Sequence, residues 1–253
     1  MLGGGLKALA EKQGQSVNGT SIFDPVLCEI VYNWFSPCGG LVFDPFAGGA
    51  VRGVIAEILD RKYIGIDLSE RQIDANQRAA DRFGVCPAWH CNDSRNADQY
   101  IPDGSADLVF SCPPYHNLEK YSNHPLDLSN MTYSDFLDAY GEIISISCRK
   151  LKEDRFSVFV VGDIRGSNGA YRDFISDTKR LFIDCGANLY NEIILLEQYA
   201  TAPIRAGKPF AVNRKVTKVH QNVLVFYKGN VKKIRDNFAN EFAWADIDRL
   251  KQK

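Results

Sequence analysis

From Asp24 onward the apolar positions of the chain alternate between two rhythms. Val26, Leu27, Ile30, Val31 and Trp34 recur at helical spacing, and Gly39-Gly40 stops that helix before a short apolar run at Leu41 to Phe43, the first expected strand. Further strands are expected at Tyr63 to Ile66, Ala88 to Cys91, Asp107 to Ser111, Phe156 to Val161, Tyr190 to Glu197 and Asn222 to Lys228. Helices are expected at Val51 to Leu59, Glu70 to Phe83, Tyr133 to Leu151 and Tyr171 to Cys185. This alternation marks an α/β chain whose seven-stranded sheet is mostly parallel and covered on both faces. Only a basic loop separates the last two strands, so the last is expected to pair antiparallel as a long-looped hairpin. No internal repeat is present. Residues 1–21, rich in Gly, Ser, Gln and Asn and without apolar periodicity, read as a mobile lead-in or the remnant of a longer N-terminal region. Residues 22–230 form the single domain and 231–253 a helical tail.

Composition adds three bounds. A chain of 253 residues with 45% hydrophobic and 24% charged positions suits one domain with a sizeable core. No apolar run reaches the roughly eighteen residues of a membrane span, and Met1 to Leu6 lacks the regions of a cleavable signal, so a cytoplasmic protein is expected. Seven scattered cysteines without a Cys-x-x-Cys pair read as free thiols rather than a disulfide framework or a zinc ribbon. His90 with Cys86 and Cys91 lacks a fourth ligand, and neighbouring strand residues point to opposite faces, so no metal is expected. The net charge of -1 means that any grip on nucleic acid is local. The best candidate patch is Arg205, Lys208, Arg214, Lys215 and Lys218, interspersed with Pro203, Gly207 and Pro209 on the expected loop.

Candidate chemistry begins where the first strand ends. Asp44-Pro45-Phe46-Ala47-Gly48-Gly49 is a glycine-rich turn at the carboxyl end of a strand, feeding a helix near Val51, which is where open α/β sheets bind nucleotides. Asp67 follows Gly48 by 19 residues at the end of the second strand, where a carboxylate can accept from ribose hydroxyls. The glycines match neither a phosphate cradle nor Gly-x-Gly-x-x-Gly, which disfavours nucleoside triphosphates and NAD. An acid within the turn, Asp44, suits a ligand with a cationic end, as S-adenosylmethionine has. Asn92-Asp93-Ser94 ends the third strand and can hydrogen-bond an adenine amino group.

The fourth strand runs into Ser111-Cys112-Pro113-Pro114-Tyr115. Together with Asp-Pro-Phe-Ala-Gly at 44–48, this resembles the S-adenosylmethionine-dependent DNA amino-methyltransferases, which modify adenine N6 or cytosine N4. Gly19-Thr20-Ser21-Ile22-Phe23-Asp24-Pro25 and Val161-Gly162-Asp163-Ile164-Arg165 narrow the resemblance to phage-type DNA methylases, and it covers nearly everything from Gly19 to Gly229. It implies a Rossmann-like class I methyltransferase fold, DNA as partner, a base flipped out of its duplex and a setting in phage or restriction-modification biology. It also implies that Asp24 contacts the methionine part of the cofactor, that Phe46 lines its pocket, and that Asp163 and Arg165 border the target pocket. Doubly wound topology sets the Asp44 and Cys112 turns side by side, so that donor and acceptor meet. Two prolines supply rigid backbone with uncommitted carbonyls, and Tyr115 offers a stacking face. His116 and His220 are further candidates to approach nucleic acid.

One position departs from the resembled pattern. Asp, Asn or Ser usually precedes Pro-Pro, and here Cys112 does, with Ser111 one step earlier. A neutral thiol is a weak acceptor. Either Cys112 takes a Ser-like role, leaning toward cytosine N4, or Ser111 and backbone carbonyls carry more of the work. A cysteine nucleophile attacking carbon is disfavoured, because C5-cytosine enzymes place Cys after Pro-Pro. Two other readings remain: methylation of RNA or a protein amide, and a methyltransferase-like protein that binds nucleic acid without catalysis.

Overall fold

The computed structural model describes residues 23–115, 125–196 and 202–238, with backbone alone at 202–205. The expected lead-in, His116 and part of its insertion, Glu197 and the tail beyond 238 lie outside the described residues. In chain order the elements are α1 (Pro25–Phe35), β1 (Leu41–Asp44), α2 (Val51–Ile58), β2 (Lys62–Asp67), α3 (Glu70–Asp81), β3 (Ala88–Cys91), β4 (Ala106–Ser111), α4 (Tyr133–Lys150), β5 (Leu151–Val161), α5 (Phe174–Asp184), β6 (Asn188–Leu196), α6 (Ala202–Asn213), β7 (His220–Lys228) and α7 (Ile234–Phe238).

The seven strands make one sheet in the order β3-β2-β1-β4-β5-β7-β6. Neighbours among β1 to β5 are parallel, and β7 runs antiparallel to both β5 and β6. β1 and β4 adjoin although they are far apart in sequence, with Val42 opposite Leu108 and Phe43 opposite Val109. The order turns back on itself here, so the carboxyl ends of β1 and β4 flank the crevice where such sheets take ligands.

Alternation along each strand sends side chains to two separate cores. Val42, Leu108 and Phe110 join α1 and α2 on one face, while Phe43, Val109 and Phe159 join α4 and α5 on the other. At the usual 25 cal/mol per Å², each fully buried Phe or Val here contributes about 1.5–3 kcal/mol. Among the described residues no helix is long and apolar enough to cross a membrane. All seven cysteines are free.

Two expectations need correction. In α1 the buried face is Leu27, Cys28, Val31, Tyr32 and Phe35, whereas Val26 and Trp34 are 54% and 47% exposed. Cys28 and Tyr32 line the core side, and the helix is turned accordingly. The basic stretch between β6 and β7 is largely a helix, α6, despite Gly207 and Pro209 inside it. Pro209 removes only its own N–H from the ladder, and Arg214 N donates back to Phe210 O at 2.8 Å to close the last turn.

Candidate active site

The turn after β1 is built around a buried ion pair. Asp44 is fully buried, and its two oxygens accept four hydrogen bonds from four different residues. Oδ2 takes Arg52 Nε at 2.6 Å and the Tyr63 hydroxyl at 2.7 Å, while Oδ1 takes the Ser111 hydroxyl at 2.5 Å and Phe46 N at 3.1 Å. Arg52 then donates to the carbonyls of Phe46 and Ala47 at 2.6 and 3.0 Å, so the turn is gripped from both sides. Burial works against the Arg52 charge, and the Asp44 carboxylate more than offsets it, holding the guanidinium pKa above its ordinary value. Burial and the same carboxylate push the Tyr63 hydroxyl upward. The carboxylate that the sequence aims at a cationic ligand is thus already matched inside the protein by Arg52.

The rest of the expected cofactor half converges on this turn. Gly48 has φ +50, a conformation that suits glycine, and its N–H donates to Asp67 Oδ2 at 3.0 Å. Asp67 Oδ1 accepts from Ser69 N at 2.9 Å. Burial raises the Asp67 pKa, with the two backbone donors partly opposing it. Asn76, which sequence reasoning passed over, donates to Gly48 O at 2.7 Å from α3. A side-chain carbon at Gly49 would meet nothing within 4 Å, so the turn is open on its outer side. From the tip of β3, Ser94 donates to Pro45 O at 2.5 Å and Asn92 N to Asp67 O at 3.0 Å. The Asn92 amide donates to the Tyr100 hydroxyl at 2.7 Å, and Asp93 is chelated by Arg95 while capping the short 3-10 turn Ser94–Gln99. His90 stacks on Tyr100 with ring centres 4.1 Å apart.

Asp24 caps α1 through Val26 N at 2.8 Å and is exposed. Phe23 beside it lies 4.5 Å from the Arg52 guanidinium, which brings the start of α1 to the same knot. Phe46 packs toward Tyr140 at 5.9 Å.

The expected catalytic half meets the expected cofactor half through Ser111, which donates to Asp44 and accepts from Phe46 N at 3.2 Å. Cys112 is half-buried, with its sulfur 3.8 Å from the Tyr115 hydroxyl. Tyr115 sets its ring edge-on to Phe174 at 6.3 Å. Beyond β5 a short hairpin closes through Arg165 and Tyr171, with the Arg165 guanidinium 3.9 Å above the Tyr171 ring.

The basic candidates do not all gather. Lys208 and Arg214 are exposed on α6 and its end, Lys218 reaches Asn222 at 3.5 Å, and the side chain of Arg205 is not described. Among the described side chains of this set, Lys215 bends to the hairpin, where its ammonium would lie 3.1 Å from a carbon added to Gly169. His220 opens β7 and is half-buried.

No protein-family model and no curated protein matches the sequence. Among solved structures, TrmN from Thermus thermophilus aligns with a TM-score of 0.56 at 16% identity, over 84% of this chain and 51% of that one. A putative rRNA methylase from Clostridium thermocellum aligns at 0.52 and 13% identity, over 83% and 100% of the two chains. The fold is that of the Rossmann-like methyltransferases. This chain spans about half the length of the Thermus protein. The same methyltransferase fold also carries other chemistry, since the [4+2]-cyclase SpnF aligns at 0.57 with 15% identity, over 84% and 85% of the chains. The site, not the fold, therefore has to carry the functional argument.

Proposed function

We propose that this protein transfers a methyl group from S-adenosylmethionine to the exocyclic amino group of a DNA base, adenine N6 or cytosine N4. The observation that carries the reading is the Ser111 hydroxyl, which bonds both Asp44 and Phe46 N and so welds the Ser-Cys-Pro-Pro-Tyr turn to the glycine-rich turn. The donor pocket and the acceptor pocket thereby share one wall.

The residues present fit the cofactor. The open side of Gly48-Gly49, the Asp67 carboxylate beside it and the polar tip of β3 form a cradle for an adenosine moiety. Bound there, S-adenosylmethionine supplies an electrophilic methyl group on a sulfonium. Asp67 accepts from the ribose, Asn92, Asp93 and Ser94 bracket the adenine, and Asp24 with Phe46 and Ala47 borders the methionine end. Asp44 serves through the turn it holds. On the acceptor side Pro113, Pro114 and Tyr115 receive the flipped base and Cys112 lines its edge, a site that works by positioning and oriented dipoles. DNA approaches over Lys208, Arg214, Lys215 and Lys218, with Arg205 in the same stretch.

The test is incubation with isotopically labelled S-adenosylmethionine and unmodified DNA or RNA, followed by digestion to nucleosides and mass spectrometry. N6-methyladenine or N4-methylcytosine in DNA is the expected product. 5-Methylcytosine would make Cys112 a nucleophile and overturn the amino-transfer reading. The putative rRNA methylase that shares the fold makes RNA the competing acceptor, and label confined to RNA would select it.

A further inference from the structure

The Cys112 departure leaves the amino-transfer site short of a strong acceptor, and the neighbouring strand end carries one that has no hydrogen-bond partner among the described residues. β4 and β5 are parallel with Ser111 opposite Phe159. The same register carried forward sets Gly162 and Asp163 alongside Pro114 and Tyr115. A carbon added to Gly162 would lie 3.9 Å from the Tyr115 hydroxyl, so the two strand exits touch. Oδ1 of Asp163 is buried, and among the described residues it has no hydrogen-bond partner. An unmet acceptor of this kind costs about 1–3 kcal/mol, more when charged, and so asks for a function.

A donor in the same condition belongs to the hairpin that follows Asp163. Arg172 donates its backbone N–H to Ile164 O at 2.9 Å, next in sequence to Asp163, and its guanidinium lies 4.4 Å over the Tyr133 ring. Its Nε is also buried without a partner among the described residues. Tyr133 borders both groups: its hydroxyl donates to Asp177 at 2.7 Å, and the Asp163 charge is among the lesser causes, after burial and Asp177, that raise its pKa. Asp163 Oδ1 is thus an unmet acceptor among the described residues, and Arg172 Nε, 3.6 Å from a carbon added to Gly166, an unmet donor on the hairpin that follows it. Adenine presents an N6 amino hydrogen beside the N1 acceptor, and cytosine an N4 amino hydrogen beside the N3 acceptor. Uracil, thymine and hypoxanthine present the reverse order.

We propose that Asp163 is the catalytic acceptor for the target amino group, doing the work that Asp, Asn or Ser before Pro-Pro does in the pattern this chain resembles, with Arg172 Nε donating to the adjoining ring nitrogen. The inference rests on the amino-methyltransferase reading above. Engaging one N–H on Asp163 Oδ1 turns the nitrogen lone pair out of conjugation and toward the methyl carbon. The N–C bond forms as the C–S bond breaks, with its electron pair remaining on sulfur, and one amino proton passes to Asp163 and then to water.

The experiment compares wild type with Asp163→Ala and Asp163→Asn in three readouts: methyl transfer, S-adenosylmethionine affinity by calorimetry, and saturation-transfer NMR with free nucleosides in the presence of S-adenosylhomocysteine. Asp163→Ala is expected to lower kcat by about 100-fold and Asp163→Asn by about 10-fold, with cofactor affinity unchanged. In NMR the wild type is expected to favour deoxyadenosine or deoxycytidine over deoxyinosine and deoxyuridine, and Asp163→Ala to lose that preference. Transfer by Asp163→Ala within threefold of wild type overturns the proposal, as does a wild type that shows no preference for amino-bearing nucleosides. If the wild type labels no polynucleotide, the functional reading falls. Loss of the nucleoside preference in Asp163→Ala, or in Asp163→Asn should the alanine variant fail to fold, then reports on Asp163 separately from methyl transfer.

Discussion

The exits of β1 and β5 each carry an aspartate with a buried oxygen, and the two are finished in opposite ways. At β1 every lone-pair direction of Asp44 is met by the protein, from Arg52, Tyr63, Ser111 and Phe46. At β5 an oxygen of Asp163 and a nitrogen of Arg172 are left unmet among the described residues. A carboxylate that is saturated builds the scaffold, and one that is open addresses a ligand. Burial alone does not tell these apart; the hydrogen-bond inventory does.

The largest expected effect breaks the saturated side. Asp44→Ala strands the buried Arg52 charge and is expected to cost about 3–5 kcal/mol of stability. Asp163→Asn, at a carboxyl group with one oxygen unmet among the described residues, is expected to leave stability unchanged or to raise it by about 1 kcal/mol. Urea denaturation of the two variants side by side measures the contrast, and equal losses would erase it.

Asp67 lies between these extremes, with two backbone donors and a pKa raised chiefly by burial. Because the native state holds its proton more tightly than the unfolded chain, its contribution to apo stability is full below the unfolded pKa and is lost as pH rises through the folded value. On the proposed function the ionised form would hold the ribose, so cofactor affinity is expected to run the other way. Asp67→Asn is expected to weaken S-adenosylmethionine binding by about 1.5–3 kcal/mol, to flatten the fall of affinity at acid pH, and to cost the protein without cofactor about 1–3 kcal/mol, because its amide NH2 replaces one of the two oxygens that accept from Gly48 N and Ser69 N. Calorimetry and denaturation across pH 4–7 report both signs.

The smallest effect concerns the basic surface. Replacing Arg214 and Lys215 with Ala is expected to weaken DNA binding several-fold, and to make the slope of log affinity against log salt shallower by about 0.9 for each duplex phosphate that is no longer neutralised. S-adenosylmethionine affinity should be intact. Fluorescence anisotropy at graded salt gives the slope, and an unchanged slope would remove this surface from the DNA path.

The alternation of elements was legible in sequence because period and length settle it, and strands such as Ala88–Cys91 fall where the pattern puts them. The juxtaposition of Gly48 with Asp67 was legible too, being a matter of spacing within one strand-helix-strand unit. What escaped were relations closed by distant parts of the chain. Arg52 reads as an ordinary helix arginine, and only the meeting of β1, β2 and β4 makes it the partner of Asp44. Asn76 is polar on a polar helix until α3 packs it against the glycine-rich turn. α6 escaped because Gly207 and Pro209 outweigh its local pattern.

The placement of β7 has a consequence for how the molecule comes into being. It enters the sheet between β5 and β6, pairing Arg155 with Lys228 and Leu196 with His220. During synthesis β1 to β5 can zip together in order of emergence, but β6 has no neighbour in the sheet until the last strand leaves the ribosome. Closure of the sheet is therefore a late, long-range event, and the exposed edge of β5 is the surface that a chaperone would have to guard until then.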